Sequence, residues 1–244
     1  MLKLIITISF LFLVNCSSNK EKELNADKIL YEDAIKALEK NRFIKASDYL
    51  NELESNHPFS SYIVKTEILL AFINYVNKNY DESYNFAEKF IKLRPANEYV
   101  AYMYYLRSLS IYNQSSDYLR EQSQTRKAQR SFRELIVRFP DSPYSKSATI
   151  ELNFITNKLS AHEMALVRFY ESQKLYISAL DIVKKTILNY PNSPYNAEAR
   201  FREIEILTIL KLYKIRDDRL VEMLTKHPGS QWSIEAKKIS SINT

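Results

Sequence analysis

The residues in this chain that could do chemistry are its three histidines, its single cysteine and a few paired carboxylates. His162 and Glu163 begin the pattern of a zinc-protease helix, in which a second histidine four residues after the first completes the metal site. Leu166 stands at that position, so the spacing excludes such a site. Because Cys16 is the only cysteine, a thiolate metal site is excluded as well. The sequence therefore predicts no metal ion.

The remaining candidates are explained by their places at helix ends. Asp81-Glu82 and Asp217-Asp218 stand at the start of predicted helices, where negative charge is favourable beside the positive end of the helix dipole. His57 and His227 precede prolines at predicted helix C-termini, where a cation is favourable. We therefore expect no catalytic residue and no cofactor.

The glycine content excludes several classes of protein. Average usage would give about 17 glycines in a chain of 244 residues, whereas this chain has only Gly229. Phosphate-binding loops, dinucleotide fingerprints and nucleophile elbows all need glycine, and so do the tight turns of many β-sandwiches and barrels. An all-α protein remains, and 45% hydrophobic residues are enough for a packed core. The net charge of +6 is spread along the chain with both signs interspersed, so we expect no nucleic-acid partner.

The N-terminus has the pattern of an export signal. Lys3 precedes eleven mostly apolar residues, 4–14, which are too few to span a bilayer. Cys16 follows, and the whole segment resembles the signal of a bacterial lipoprotein, whose cysteine is acylated after cleavage. The resemblance implies a signal peptide over residues 1–15, lipid attachment at Cys16 and a polar tether over residues 16–26. The alternative is an ordinary signal peptide with an incidental cysteine.

Two residues beside Cys16 bear on the lipoprotein interpretation. Asn15 departs from the Gly, Ala or Ser that usually precedes a lipoprotein cysteine. Ser17 stands where an aspartate would resemble an inner-membrane retention signal, so the outer membrane is favoured. Several acyl chains would hold the protein on that membrane, since one chain alone binds only marginally.

All seven prolines belong to one recurring segment with the form Pro-x-Ser/Asn-x-aromatic. Its five copies begin at Pro58, Pro95, Pro140, Pro191 and Pro228, with spacings of 37, 45, 51 and 37 residues. Proline stops one helix, Ser or Asn caps the next, and the aromatic residue lies in its first turn. The pattern predicts five helix hairpins in residues 27–244, over about 27–60, 61–97, 98–142, 143–193 and 194–230.

A second register repeats before each proline. Twelve residues upstream stand Ala46, Ser83, Ala128, Ala179 and Arg216, of which four are small. Eight residues upstream, all five positions are apolar: Leu50, Ala87, Phe132, Val183 and Leu220. The small residues would let the two antiparallel helices of a hairpin approach each other closely.

These registers resemble those of tetratricopeptide (TPR) repeats, which implies a superhelical solenoid of stacked hairpins with a concave inner face lined by the first helices. A concave face suits an extended peptide. The side chains on it suit one as well, because tyrosine offers large apolar area with one hydroxyl, and Lys or Arg can pair with a carboxylate. The predicted peptide groove consists of Tyr31, Lys65, Phe72, Tyr75, Tyr102, Tyr105, Arg107 and Tyr112. The alternative is that these side chains merely fill the core between hairpins.

An exported lipoprotein with five such repeats resembles the BamD family of the outer-membrane β-barrel assembly (BAM) machine. The resemblance is carried by two segments, residues 138–144 (Arg-Phe-Pro-Asp-Ser-Pro-Tyr) and residues 159–164 (Leu-Ser-Ala-His-Glu-Met), within a match over about residues 16–236. It implies a non-catalytic scaffold that binds the BamA periplasmic domains and other BAM lipoproteins through its C-terminal repeats. It also implies that the N-terminal repeats receive the C-terminal targeting segment of unfolded outer-membrane proteins.

Two other functions stay open at this point. One is a different lipid-anchored TPR adaptor, in pilus secretin assembly or envelope division, which would bind a secretin or a cell-wall synthase. The other is an enzyme on a helical superhelix, such as a cell-wall lyase, which would need a catalytic acid with a raised pKa that the sequence does not nominate.

Overall fold

In a computed structural model the described residues are 25–242, with side chains described as far as residue 239. They form eleven helices and no strand: α1 Ala26–Glu39, α2 Phe43–Asn56, α3 Ile63–Val76, α4 Tyr80–Leu93, α5 Val100–Asn113, α6 Ser123–Arg138, α7 Pro143–Ser172, α8 Tyr176–Asn189, α9 Asn196–Ile209, α10 Tyr213–Lys226 and α11 Gln231–Ile242. The all-α prediction is confirmed. None of these helices is both long and apolar enough to cross a membrane. The predicted signal peptide and Cys16 lie outside the described residues.

The five proline segments end helices in one repeated geometry. Each of α2, α4, α6, α8 and α10 ends two residues before a proline. The residue between has φ from −135° to −130° and ψ from 54° to 59° in all five copies. Proline imposes this departure from helical geometry on the residue before it, because its ring clashes with a helical predecessor. The predicted helix stops are therefore confirmed.

The Ser and Asn residues of the same segments accept hydrogen bonds at or just before the start of the next helix. Ser142 and Ser230 directly precede α7 and α11 and cap them as predicted. At α3 and α9 the cap positions are Tyr62 and Tyr195, so the prediction of Ser caps is wrong there. Ser60, Ser142 and Ser193 each accept a hydrogen bond from the N–H two residues further on, at 3.1–3.2 Å. Asn97 does the same at 2.9 Å, while Ser230 accepts from the N–H of the third residue on at 3.1 Å. At α7 and α11 these bonds satisfy backbone donors of the first helical turn, whereas Tyr62, Tyr99 and Tyr195 donate from the position just before the helix.

Four hairpins turn between their two helices through a single residue with positive φ. These residues are Asn41, Lys78, Lys174 and Lys211, with φ between 54° and 64°. The N–H of the following residue donates to the carbonyl five residues back at 2.8–2.9 Å, which is the Schellman arrangement of a helix C-terminus. Glycine is usual at this position because it has no Cβ to clash, yet three of the four residues are lysine.

The chain divides into two compact units, the first ending at Ser110 and the second beginning at Ile111. In the first unit, consecutive helices from α1 to α4 pack on one another. Their core contains Ala34, Ala37, Ala46, Leu50, Leu70 and Ile73. Ala46 and Ser83, two of the predicted small positions, are fully buried.

In the second unit, consecutive helices from α6 to α11 pack on one another, and α9 also contacts α11. The largest core cluster includes Met164, Val167, Ala179, Leu180, Val183, Ala199 and Ile206. Arg216 occupies the small position of the last hairpin and is 2% exposed, with its Nε donating to Asp217 Oδ1 at 2.8 Å.

The two longer proline spacings have different structural causes. The spacing of 45 residues contains a nine-residue connection, 114–122, between α5 and α6. The spacing of 51 residues contains α7, which has 30 residues where the first helices of other hairpins have 14. The spacing exceeds the standard 37 residues by 14, which is about four helical turns. Because four turns are close to a whole number, residues at the two ends of α7 lie on the same face of the helix.

Candidate functional site: a tyrosine-lined cavity in the first unit

Two of the predicted groove residues, Tyr31 of α1 and Lys65 of α3, line a cavity of about 290 Å³ in the first unit. Ile68, Leu69 and Tyr99 complete its lining. We call this site the tyrosine cavity. The packing of consecutive hairpins brings these residues together, because Tyr31 lies on the first helix of one hairpin and Lys65 on that of the next.

The tyrosines of this cavity are held in place by ring contacts and burial. The ring of Tyr31 stacks on that of Tyr62, with centroids 4.7 Å apart and planes 21° from parallel. Burial raises the pKa of the Tyr31 phenol, and the neighbouring Tyr62 and Tyr99 raise it further. The phenol is therefore neutral at physiological pH, offering an apolar face and a hydroxyl that donates or accepts.

Lys65 supplies the positive charge of the cavity. Its side chain is exposed, and among the described residues no carboxylate forms an ion pair with it. An ammonium group without an internal partner can bind the carboxylate of a ligand, and a bond between two charged groups is stronger than one between neutral groups. The cavity thus combines aromatic surface, hydroxyl groups and one cation.

Four further predicted residues lie on α3 and α5 in the first unit. Phe72 is 37% exposed, and the Tyr75 ring lies 5.7 Å from that of Tyr80 at a tilt of 56°. Tyr102 and Tyr105 are half-buried. These side chains leave part of their aromatic surface accessible while the rest packs against the unit. Their role in a peptide groove stays a prediction.

Arg107 has an internal partner. It is 9% exposed, and its Nη1 donates to Glu88 Oε2 of α4 at 3.0 Å. Burial alone would raise the pKa of Glu88, but the hydrogen bond and charge of Arg107, together with Lys92, lower it below its usual value. The Arg107 guanidinium also lies 4.6 Å from the centre of the Tyr104 ring. The structure therefore shows Arg107 joining α4 and α5, and its contact with a ligand carboxylate stays a prediction.

Tyr112, the last predicted groove residue, belongs to the second unit. Lys158 Nζ of α7 lies 5.4 Å from the centre of its ring and donates to Ser115 Oγ at 2.9 Å. Burial raises the pKa of Tyr112 and lowers that of Lys158. Within its own unit, Tyr112 is thus one side of a contact between α5 and α7.

Sequence reasoning did not include Tyr62 and Tyr99 in the groove. Both are the aromatic residues that close a Pro-x-Ser/Asn-x-aromatic segment, and the sequence assigned them only to the first turn of the next helix. The signal that could have found them is that both stand directly before a first helix, at the same position of successive segments, next to the inner face of the stacked hairpins. No group of three or more His, Cys, Asp or Glu residues that could hold a metal ion occurs between residues 25 and 242.

Comparison with known proteins gives a match to a family model described as YfiO, outer membrane lipoprotein, over residues 24–224. A protein of Rickettsia prowazekii (strain Madrid E), named outer membrane protein assembly factor BamD, is 29% identical over 224 residues, covering 91% of this chain and 89% of that protein. Proteins of the same name from Caulobacter vibrioides and Neisseria gonorrhoeae are 25% and 28% identical. They cover 88% and 82% of this chain, and the matches take in 71% and 81% of those proteins.

Proposed function

The chain belongs to the YfiO family of outer membrane lipoproteins, and from that premise we propose that it is a non-catalytic, lipid-anchored scaffold of outer-membrane protein assembly. The observation that carries the proposal is the family match over residues 24–224, which extends from the first helix of the first unit to the last turn of α10 in the second. The names of the relatives, outer membrane protein assembly factor, support a place in the BAM machinery.

The proposed protein partners are the BamA periplasmic domains and other BAM lipoproteins. The second unit supports such a role because it exposes charged side chains already fixed by internal ion pairs. Arg168 Nη1 of α7, for example, lies 2.8 Å from Glu198 Oε1 of α9. Fixed charges favour recognition of a folded polar partner, since little side-chain entropy is lost on binding.

The proposed ligand of the tyrosine cavity is the C-terminal targeting segment of an unfolded outer-membrane protein. Such a segment is extended, alternates in polarity and often ends in an aromatic residue with a free carboxylate. The aromatic surface of Tyr31 and Tyr99 suits the terminal ring, and Lys65 suits the carboxylate. Holding this segment near the membrane would raise its local concentration without any chemical step.

Binding to BamA is tested by titrating its purified periplasmic domains into the chain without its predicted signal peptide. We expect a complex that size-exclusion chromatography and calorimetry both detect. A failure to associate, with binding to a secretin or a cell-wall synthase instead, would contradict the proposal and select the alternative adaptor.

Binding in the tyrosine cavity is tested with a peptide that ends in phenylalanine, prepared with a free or an amidated C-terminus. Lys65→Gln should weaken binding of the free-acid peptide about five- to tenfold, because a charge-assisted bond is lost. The same substitution should leave the amidated peptide unaffected, since that peptide has no carboxylate for Lys65 to bind.

The control is Lys92→Gln, which removes another exposed charge from the same unit; Lys92 lies outside the cavity and pairs with Glu88 at 3.4 Å. Equal losses in the two variants, or equal losses for the two peptides, would show that Lys65 does not bind the carboxylate. Fluorescence anisotropy at a fixed salt concentration gives all four comparisons.

The proposed lipid anchor is tested by Cys16→Ser. We expect the protein to move from the membrane fraction to the soluble periplasm, because the acyl chains that hold it are no longer attached. Ser18→Ala is the control and should stay with the membrane. An unchanged distribution of Cys16→Ser would contradict lipid attachment at this residue.

A further inference from the structure

The second unit contains a cavity of about 320 Å³ between α8, α9 and α10. Its lining includes Lys184, Arg200, Arg219 and Lys226, together with Glu203 and Glu222. We call this site the cationic cavity. Its volume lies at the lower end of the range for ligand sites, which is roughly 300–1,000 Å³.

The positive charges of the cationic cavity outnumber the negative ones. Glu222 is surrounded by three cations, with Arg200 Nη1 at 3.0 Å, Arg219 Nη1 at 3.1 Å and Lys226 Nζ at 3.0 Å. Glu203 lies 3.4 Å from Arg219 Nε. Four cations against two carboxylates leave an excess of two positive charges.

Lys184 is the cation that no carboxylate of the described residues pairs with. It is exposed at the mouth of the cavity, on α8. By contrast, Arg200 is 5% exposed and lies at the floor, where its Nε donates to Asn196 Oδ1 at 3.0 Å. The cations therefore line the cavity from its floor to its mouth.

Two neighbouring groups report a positive potential at this site. Lys226, Arg200 and Arg219 lower the pKa of Glu222 to about 2 in spite of its burial. Burial lowers the pKa of His227, and the positive charges of Arg200 and Lys226 lower it further. A ligand with negative charge would therefore be favoured, and a cationic one would be repelled.

The lining is apolar at the end of α8 and in the turn that follows it. Ile187, Leu188 and Pro191 all belong to the lining, and Leu188 is 78% exposed. Exposed aliphatic surface next to recessed cations suits a ligand that has both an aliphatic group and a carboxylate. A flat layer of lipid headgroups could touch Lys184, but it could not reach the buried floor at Arg200.

We propose that the cationic cavity binds an acidic segment of a partner protein, in which an Asp or Glu side chain enters the cavity and an adjacent aliphatic side chain packs on Leu188. This inference does not depend on the proposed function, because it rests only on the charge, shape and exposed surface of the cavity. The proposed ligand is negatively charged, whereas the cavity has an excess of positive charge.

The test uses the chain without its predicted signal peptide and a labelled peptide of alternating Leu, Asp and Glu, with both ends blocked. Its isosteric partner carries Asn and Gln in place of Asp and Glu. We expect the acidic peptide to bind at about 0.15 M salt, where distant charges are largely screened, and the isostere not to bind. Lys184→Gln should weaken the acidic peptide about fivefold, in keeping with the loss of one charge-assisted bond.

Lys185→Gln is the matched control, because it removes the same charge one residue further along α8, outside the cavity. Equal weakening by the two variants would reveal attraction to the surface as a whole and would overturn the proposal. Absence of peptide binding would also overturn it, as would competition by inorganic phosphate that abolishes the dependence on Lys184. Loss of BamA binding in the earlier titration would leave this result unchanged, so the two failures can be told apart.

Discussion

The same repeat geometry carries two different surfaces in the two units. Tyr99 and Tyr195 close equivalent proline segments, and the helices that follow them, α5 and α9, have 14 residues each. At equivalent distances from those tyrosines, α5 has Tyr102 and Tyr105, whereas α9 has Glu198 and Phe201. The backbone is thus shared, while the side chains on the helix surface are not.

The carboxylates of α9 are tied into ion pairs inside the second unit. Arg202 Nη1 lies 2.8 Å from Glu205 Oε2, and the Arg202 guanidinium lies 5.6 Å from the centre of the Phe201 ring. Burial raises the pKa of Glu171 on α7, and the nearby Arg202 only partly offsets this effect. In the first unit, by contrast, the tyrosine cavity holds one cation and no carboxylate in its lining.

This difference shows that the hairpin backbone fixes the positions of the surface side chains but does not restrict which residue types occupy them. Small and apolar positions inside each hairpin keep the helices together, so the remaining positions can change from tyrosine to glutamate without altering the fold. The tyrosine cavity of the first unit offers apolar area and hydroxyl groups, whereas the surface of α9 in the second unit offers charges held in ion pairs. Three measurements can break or sharpen this comparison.

The largest expected effect lies in the cores, which the comparison holds to be equivalent. Phe90 of α4 and Phe132 of α6 are both 0% exposed. We expect Phe90→Ala and Phe132→Ala each to lower the free energy of unfolding by about 3–5 kcal/mol, through lost burial and a residual cavity. Urea unfolding followed by circular dichroism measures both losses.

The matched control for these truncations is Phe59→Ala, because Phe59 is 99% exposed in the turn after Pro58. Its cost should stay below about 0.5 kcal/mol, as for surface substitutions in general. If Phe90→Ala lowered the free energy of unfolding as little as Phe59→Ala does, while Phe132→Ala still lowered it by about 3–5 kcal/mol, the cores of the two units would not be equivalent.

An intermediate effect is expected from the charges of the second unit. The pKa of Glu222 is about 2 against a usual 4.5, chiefly because of the hydrogen bond from Lys226. A lowered pKa stabilises the folded state above pH 4.5, and that stability is lost as the pH falls towards 2. Because the side chain is 33% exposed, solvent screening limits the effect to about 1–2 kcal/mol.

The measurement is urea unfolding of the wild-type chain and of Glu222→Gln between neutral pH and about pH 2.5. The variant should be less stable at neutral pH, and the difference should shrink as the wild-type carboxylate takes up its proton. Asp181→Asn, which breaks an exposed pair with Lys185, should change little at any pH. A difference between wild type and Glu222→Gln that stays constant with pH would mean that packing, and not charge, makes Glu222 stabilising.

The parts of the fold that could be predicted from the sequence are those set by local chemistry. The first proline of each segment ends a helix through the clash of its own ring, so the helix stop before Pro58 needed no knowledge of distant residues. The length of α7 was not predictable, because the proline spacing fixes the number of residues but not whether the excess forms a helix or a loop. The pairing of Arg107 with Glu88 was missed because it joins two helices through residues 19 positions apart.

The candidate site was predictable in its composition but not in its grouping. Tyr31 and Lys65 were expected on the inner faces of the first helices of successive hairpins, and they do line one cavity. Tyr112 was expected on the inner face of the third hairpin, and its place in the groove stays a prediction. Its contact with Lys158 could not be read from the register. Register gives the face of a helix, whereas the partner across that face depends on packing over long sequence distances.

The smallest expected effect is at the turns, where the comparison holds the two units to be alike. Lys78 of the first unit and Lys211 of the second have φ of 64° and 61°, a left-handed conformation in which a Cβ clashes with the following carbonyl. Lys78→Gly and Lys211→Gly should each raise the free energy of unfolding by about 0.5–1 kcal/mol, the balance between relieved strain and the greater entropy of unfolded glycine. The control is Lys89→Gly within α4, which should lower stability by about 1 kcal/mol, because glycine is a poor helix former in a helix interior and an exposed ion pair with Glu54 is lost. A gain at one turn and a loss at the other, measured by urea unfolding, would contradict the shared geometry, since the same backbone strain would then be stored in only one unit.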